Sequence, residues 1–437
     1  MSINSGLFAG VAAVAAQSTN FAIISDNIAN TNTIGFKETE GRFRTLVNRG
    51  QSPTSYTAGG VINQPLSDPQ KQGLIQGTTS SSDISIDGKG FFITNEEQTP
   101  SATGEYLFTR AGSFQPNENG RLVNQSGYFL QGWLTDTGGN IQNQATRDLL
   151  DSLESVNLSQ FGQIANPTGT ATVNVNLNSN RTIGQADTTN LTVFDSEGND
   201  YLMQIQFSRT AANTFNYTYS LTDVTSGAAL AAAIGPRVMA FNPNGTLNSL
   251  GGVAGATDTA ALDATISFTA AAITTAVPGR VVNPINIQVN FGTFDQATGT
   301  SQFAAVFGPS LLNQDGSGPS ALTATNIDAT GLLTAQFANG QNRAIYRIPI
   351  GTIPAPTELE ALSGNAYRTT ATSGDVVLNI PQQGGSGIMQ SSALENSTVD
   401  IAEQFTNLII TQRAYSAATK IITTGDELLE EIIRVKR

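Results

Sequence analysis

Toward its end the chain repeats a large apolar residue every seven positions: Leu394, Ile401, Leu408, Tyr415, Ile422 and Leu429. A seven-residue repeat holds one seam of a helix against a partner helix. From Leu394 onward there is no Pro, and Gly425 is the sole Gly. The spacing therefore predicts one helix of about 60 Å at 1.5 Å per residue. The companion positions four residues on are mixed: Thr398, Phe405, Gln412, Thr419, Asp426 and Ile433. Such a helix has a narrow apolar stripe and a broad polar back, and it needs a partner.

The other end of the chain supplies a candidate. Leu7, Val14, Phe21 and Ile28 also fall seven apart, and Ile3, Val11 and Ile24 widen that stripe. Ala9, Ala12, Ala13, Ala15 and Ala16 favour helix and close approach. Two single-stripe helices at opposite termini can pair antiparallel, with everything between them one long excursion. Two ordinary amphipathic helices in a globular fold are the plainer alternative.

Composition decides what lies between. The 437 residues suffice for two to four domains. Charged residues make up only 13%, with 43 Gly and abundant Thr, Ser and Asn, which suits short strands joined by turns. A hydrophobic content of 39% is enough for real cores and argues against global disorder. The net charge of −13 argues against nucleic acid and anionic membrane as partners. There is no Cys and no His, which excludes disulfides, thiolate metal sites and imidazole catalysis.

Leu7 to Ala16 is apolar, but no Lys or Arg precedes it, unlike a secretory signal. Gln17, Ser18, Thr19 and Asn20 interrupt the run, so no membrane insertion is expected. The segment reads as mature protein, and any route out of the cell would use no cleaved peptide.

Taken in order, residues 1–30 and 390–437 read as the paired terminal helices. The first helix should end near Asn30, where Asn and Thr cluster and Gly35 can take positive φ. Residues 31–73 are polar with scattered apolar anchors and read as an extended linker. Residues 74–149 alternate around the turns Asp87–Gly90 and Pro116–Gly120, and read as a β-rich domain completed by residues 316–389. Residues 150–315 shift to Ala, Thr and Asn and read as an inserted β-rich domain, with a hairpin around Asp195–Asp200. The expected fold is mainly β, with long helical termini that pair as an antiparallel coiled coil around two nested β-rich domains.

No nucleophile–base pair is evident, so neither an enzyme nor a cofactor is expected. Asp136, Asn140 and Asp195–Asp200 resemble calcium loops only loosely and read as hairpin turns, because the Gly falls in the wrong place. No metal site follows.

Several stretches taken together resemble the flagellar rod and hook protein family. The first is Ser25-Asp26-Asn27-Ile28-Ala29-Asn30-Thr31-Asn32-Thr33-Ile34-Gly35-Phe36-Lys37. Others are Ile86-Asp87-Gly88-Lys89-Gly90-Phe91-Phe92, Thr109-Arg110-Ala111-Gly112-Ser113-Phe114, and the ending Gln412-Arg413-Ala414-Tyr415 with Thr423, Asp426 and Glu427 beyond it. The size of the 150–315 insertion favours the hook type over the distal rod type. A hook–filament junction type within the family, or a secreted β-rich surface protein outside it, are the other readings.

The resemblance implies a self-assembling helical tube on the outside of the bacterial cell, whose inner ring of paired terminal helices surrounds an export channel. It implies a curved, bendable coupling that passes torque from rod to filament. Partners implied are further copies of the chain, rod, hook-cap and hook–filament junction proteins, and the flagellar export apparatus. The polymerisation seam would be Leu7, Val14, Phe21, Ile28, Leu394, Ile401, Leu408, Tyr415, Ile422 and Leu429. The signature positions are Asn27, Asn30, Thr33, Gly35, Phe36, Lys37, Gln412, Arg413, Ala414 and Tyr415.

Overall fold

The computed structural model describes residues 3–46, 58–100, 104–230, 234–256, 259–263, 265–277 and 283–435. Among the described residues it is mainly β, with a helix near each end of the chain and one short α-helix between them. The chain divides into two compact units: residues 1–161, 323–336 and 341–437, and residues 162–322 with 337–340.

In the first unit, helix α1 (Ile3–Ala29) ends where Asn30 N–H bonds back to the Asp26 carbonyl and Thr31 Oγ1 to that of Ile28. The helix continues through Gln17–Asn20 to the end expected near Asn30. By length and composition Asn4–Ala29 is therefore apolar enough to cross a membrane, against the expectation that those residues cut the run short. Their polar side chains are accommodated because they fall on the helix's exposed or half-buried sides, and Asn20 donates to Thr411 Oγ1 at 2.8 Å.

The segment expected to be an extended linker instead holds a hairpin, β1 (Thr39–Thr45) and β2 (Val61–Ser67), in antiparallel register from Thr39↔Ser67 to Thr45↔Val61. It lies along α1: Asn63 Nδ2 donates to the Ala16 carbonyl, and a Cβ on Gly41 would strike the Asn20 and Asn63 side chains. Alternation of Phe43 and Thr45 with Arg42 and Arg44 gives the strands two faces, which the scattered anchors did not signal as pairing.

The β core of this unit is an antiparallel run in the order 129–134, 92–95, 106–109, 366–368, 360–362. Strands far apart in sequence thus meet in one sheet. Their inward residues Phe91, Ile93, Phe108, Trp133 and Tyr367 are buried together with Ile141, Leu153, Ile353 and Leu378. Trp133 still satisfies its indole N–H on Ser152 Oγ at 3.1 Å.

Before the last helix the chain is extended, and this corrects one reading. Leu394 is in a strand, Ala393–Glu395, paired to Ile75–Gly77 with Leu394 opposite Gln76. A helix starts only at Ile401 and runs to Val435. Here the last helix is numbered α3, since α2 (Ala270–Ala276) precedes it in the second unit. Ser397 and Asp400 explain the late start. The Asp400 carboxylate accepts the Ala402 and Glu403 N–H groups, which caps the helix, and Ser397 Oγ accepts the Val399 N–H.

The second unit stacks two sheets. One runs 186–194, 200–211, 214–223, 234–241, 247–250, 253–254, with each neighbour antiparallel. The other runs 260–262, 285–293, 170–176, 308–314. Every second residue of 201–207 (Tyr201, Met203, Ile205, Phe207) points inward and meets Val173, Val175, Ile287 and Phe291 from the facing sheet. The 195–200 turn is closed by the Asp195 carboxylate, which accepts the Glu197 and Asn199 N–H groups and the Tyr201 hydroxyl. Asp136 performs the same service for Gly138 and Asn140. Both carboxylates are turn-forming acceptors.

Candidate assembly interface

Contacts between α1 and α3 run in opposite chain directions. Leu7 lies against Gly425, Gly10 against Ile421 and Ile422, Asn20 against Thr411 and Asn27 against Gln404. The residues of α3 that this buries are Gln404, Thr411, Ala418 and Gly425. These also repeat every seven residues, but they are small or polar. The row allows close approach rather than a wide apolar seam. On α1 the buried positions are Gly10, Ala16, Ile24 and Asn27.

The large apolar heptad flanks this row. Leu7, Val14, Ile28, Leu408, Ile422 and Leu429 are half-buried, while Phe21, Ile401 and Tyr415 are exposed. Beyond them lies a wider apolar surface: Phe8, Val11, Phe405, Ile409, Ile410, Ile421, Leu428, Ile432 and Ile433 are all more than half-exposed or close to it. Phe21 and Tyr415, with Ser18, Thr411, Gln412 and Ser416, line a groove of about 510 Å³ between the helices. Gln412 and Arg413 are exposed and Ala414 is half-buried.

Polar groups fix the register of the pair. Asn27 accepts the Thr39 N–H through Oδ1 and donates through Nδ2 to the Thr39 carbonyl and to Gln404 Oε1. Gln404 in turn donates to Glu38 Oε1 at 2.8 Å. One network thus joins both helices to the start of the hairpin. Asn30 Nδ2 donates to the Asp26 carbonyl, and Thr33 Oγ1 to Asn30 Oδ1. Gly35 takes φ +70°, and a Cβ there would strike the Ala111 backbone.

Beneath the helix ends lies a buried ion cluster. Lys37 Nζ is 2.5 Å from Glu395 Oε1 and Arg110 Nη1 is 3.2 Å from Glu395 Oε2, and all three side chains are fully buried. Each charged group makes further bonds, with Arg110 Nε alone left unpartnered. Lys37 donates to the Lys71 carbonyl, Glu395 Oε1 accepts the Gly73 N–H, and Arg110 donates to the Ile86 and Gly88 carbonyls. The guanidinium also sits 5.5 Å over the Phe91 ring. Burial pulls both Lys37 and Arg110 below their ordinary values, and the Glu395 charge opposes that shift in each. Gly35 N–H donates to the Glu395 carbonyl and Phe36 accepts the Thr398 N–H, so the chain leaving α1 is bonded to the chain entering α3.

Three separated signature stretches, 25–37, 86–92 and 109–114, therefore meet around Glu395. Sequence reasoning quoted Lys37 and Arg110 but not their shared partner. It also missed Gln404, Thr411, Ala418 and Gly425, whose own seven-residue spacing was the available signal.

Comparison with known proteins covers most of this architecture. Family models match residues 7–37 ("Flagella basal body rod protein"), 85–180 ("Flagellar hook protein FlgE/F/G D1 domain"), 157–317 ("Flagellar basal body protein FlaE D2 domain") and 390–435 ("Flagellar basal body rod FlgEFG protein C-terminal"). The chain is 33% identical to the flagellar hook protein FlgE of Rhizobium meliloti, over all of both chains. It is 31% identical to that of Caulobacter vibrioides, again over all of both. Among solved structures, Helicobacter pylori flagellar hook protein FlgE2 matches at a TM-score of 0.46 and 12% identity, covering 74% of this chain and 100% of that one.

Proposed function

This chain belongs to the flagellar hook protein family, and from that premise we propose that it is a structural subunit that polymerises into the hook of the bacterial flagellum. The hook is a curved tube that carries torque from the rod to the filament. Its partners are other copies of this chain, the rod below, the junction proteins above and the cap at the growing tip. The subunit leaves the cell through the flagellar export apparatus. Its work is mechanical, with no catalytic step. The runs 74–149 with 316–389, and 150–315, serve as the outer β-rich domains of the tube.

The observation that carries this reading is the mismatch on the terminal helices. Pairing as an antiparallel coiled coil covers one small-residue row and leaves two helices studded with exposed large apolar residues. A lone pair buries too little to offset the ordering cost of some sixty residues. Neighbouring copies cover the remainder, so helix order and assembly are coupled. Leu7, Val14, Ile28, Leu408, Ile422 and Leu429 close the pair, while Phe21, Ile401 and Tyr415 face neighbours.

The ion cluster serves the same task. Torque received by the helices must reach the β core without slip. Glu395 joins both helix ends to strands of that core through bonds with fixed directions. The outer surfaces, rich in Asn, Thr and Gln and poor in charge, suit contacts that slide as the tube bends.

Deleting residues 1–30 tests the reading. The truncated chain should remain a soluble β-rich monomer under conditions in which the full chain forms tubes. Tubes from the truncated chain would refute the role given to the helices.

A further inference from the structure

The outer face of the β1–β2 hairpin carries Arg42 and Arg44, with Leu46 and Ile62 beside them. Arg44 stands directly opposite Ile62 in the register. These side chains are exposed, and the only ion pair they form among the described residues is a loose one, Arg42 to Glu40 at 3.9 Å. In a chain of net charge −13 these are two exposed cations next to apolar surface.

The complementary surface is at the far end of α3. Leu7 meets Gly425, and α1 begins only about one turn before Leu7, whereas α3 runs almost three turns (about 15 Å) beyond Gly425 to Val435. The first turn of α1 lies level with residues 425–429, so the overhang is the last six described residues of α3, about 9 Å, with no described helix beside them. With the turn before it, this end presents Glu427 and Glu431 on one stripe and the exposed Leu428 and Ile432 on the next. The only described ion pair there is Glu431 to Arg434 at 3.6 Å, between two exposed side chains. Loose exposed pairs such as these two contribute little and are easily exchanged.

The spacings match. Arg42 and Arg44 are two residues apart on a strand, about 6.8 Å. Glu427 and Glu431 are one helical turn apart, about 6 Å. Within one molecule the two surfaces stand apart, with about 14 Å along the helix between Arg44 and Glu427. Gly41 is level with Asn20, which bonds Thr411, and Glu427 lies about 24 Å further along α3, while Arg44 lies only about 10 Å from Gly41.

We propose that the hairpin face of one copy docks on this end of α3 in a second copy, with Arg42 and Arg44 paired to Glu427 and Glu431 and with Leu46 and Ile62 packed on Leu428 and Ile432. The contact is heterologous, so it propagates from copy to copy instead of closing a dimer. It rests on the polymerisation proposed above and names one of the surfaces that drives it. The electrostatic part steers encounter and sets register.

Charge exchange in the full-length chain tests it. Arg42→Glu with Arg44→Glu, and separately Glu427→Lys with Glu431→Lys, should each slow tube formation at least tenfold while leaving the circular-dichroism melting curve of the monomer in place. The milder pair Arg42→Gln with Arg44→Gln should slow it less. Combining the two reversals should restore most of the rate. Wild-type assembly should also weaken between about 0.05 and 0.5 M salt, as screening shortens. The proposal is overturned if either reversal assembles at the wild-type rate, or if the combined variant is no better than the reversals alone. Normal tubes from every variant would remove only this contact, whereas tubes from the chain lacking residues 1–30 would remove the underlying reading.

Discussion

Lys37 and Glu395, 358 positions apart, meet at 2.5 Å with neither side chain accessible to solvent. Together they close the long excursion between the two terminal helices at its neck. Arg110 takes the second carboxylate oxygen, so a single buried anion balances two cations.

Removing that anion leaves two buried cations without compensation. Glu395→Ala is expected to destabilise its unit by about 3–5 kcal/mol. Trp133 is the sole tryptophan and sits in the core of the same unit, so its fluorescence in a denaturant titration reports this directly. A loss below about 1 kcal/mol would mean that the cluster is dispensable for stability.

The small-residue row and the exposed apolar rows should separate by mutation. Ala418 is buried near Gly10, and Ala418→Leu forces the helices apart at a cost of about 1–3 kcal/mol. Phe405 is half-exposed, and Phe405→Ser should change monomer stability by no more than about 0.5 kcal/mol yet suppress polymerisation. Melting curves and sedimentation of the same two variants check both halves.

Asn27 bonds both backbone groups of Thr39 and the side chain of Gln404. Asn27→Ala strands these buried partners and should cost about 1–3 kcal/mol. Asn27→Asp keeps the acceptor for Thr39 N–H but loses the donor, and it should fall between wild type and Ala. Denaturant midpoints rank the three.

Tyr367 gives a signed pH dependence. Burial pushes its phenol from the ordinary value near 10 up to about 12. Below pH 10 the phenol is neutral whether the chain is folded or not, and its contribution to stability is intact. Between about pH 10 and 12 only the unfolded chain ionises it, so about 2–3 kcal/mol is lost as pH rises through that window. Tyr367→Phe should lose less over the same range in Trp133-monitored urea titrations. Parallel losses in the two proteins would contradict the assignment.

The helices, the strand-rich middle and the signature stretches were legible because each is written locally, in period, turn residues or a contiguous motif. Leu394 misled because seven-residue spacing is blind to conformation. Only the Ser397 and Asp400 caps and the pairing with Ile75–Gly77 set the boundary. The buried row of α3 was overlooked for a related reason. Gln404, Thr411, Ala418 and Gly425 carry little hydrophobic signal, yet small side chains are what let two helices approach closely. Glu395 was invisible because its partners lie hundreds of residues away, and nothing local distinguishes it from a solvated acid.

Reconstruction of the assembled particle by electron cryomicroscopy tests the central claim most directly. Both terminal helices should lie against the bore, paired within each subunit, with Phe405, Ile409, Ile421 and Tyr415 buried by adjacent copies. Density placing either helix loose in solvent, or those four side chains still exposed in the tube, would contradict it.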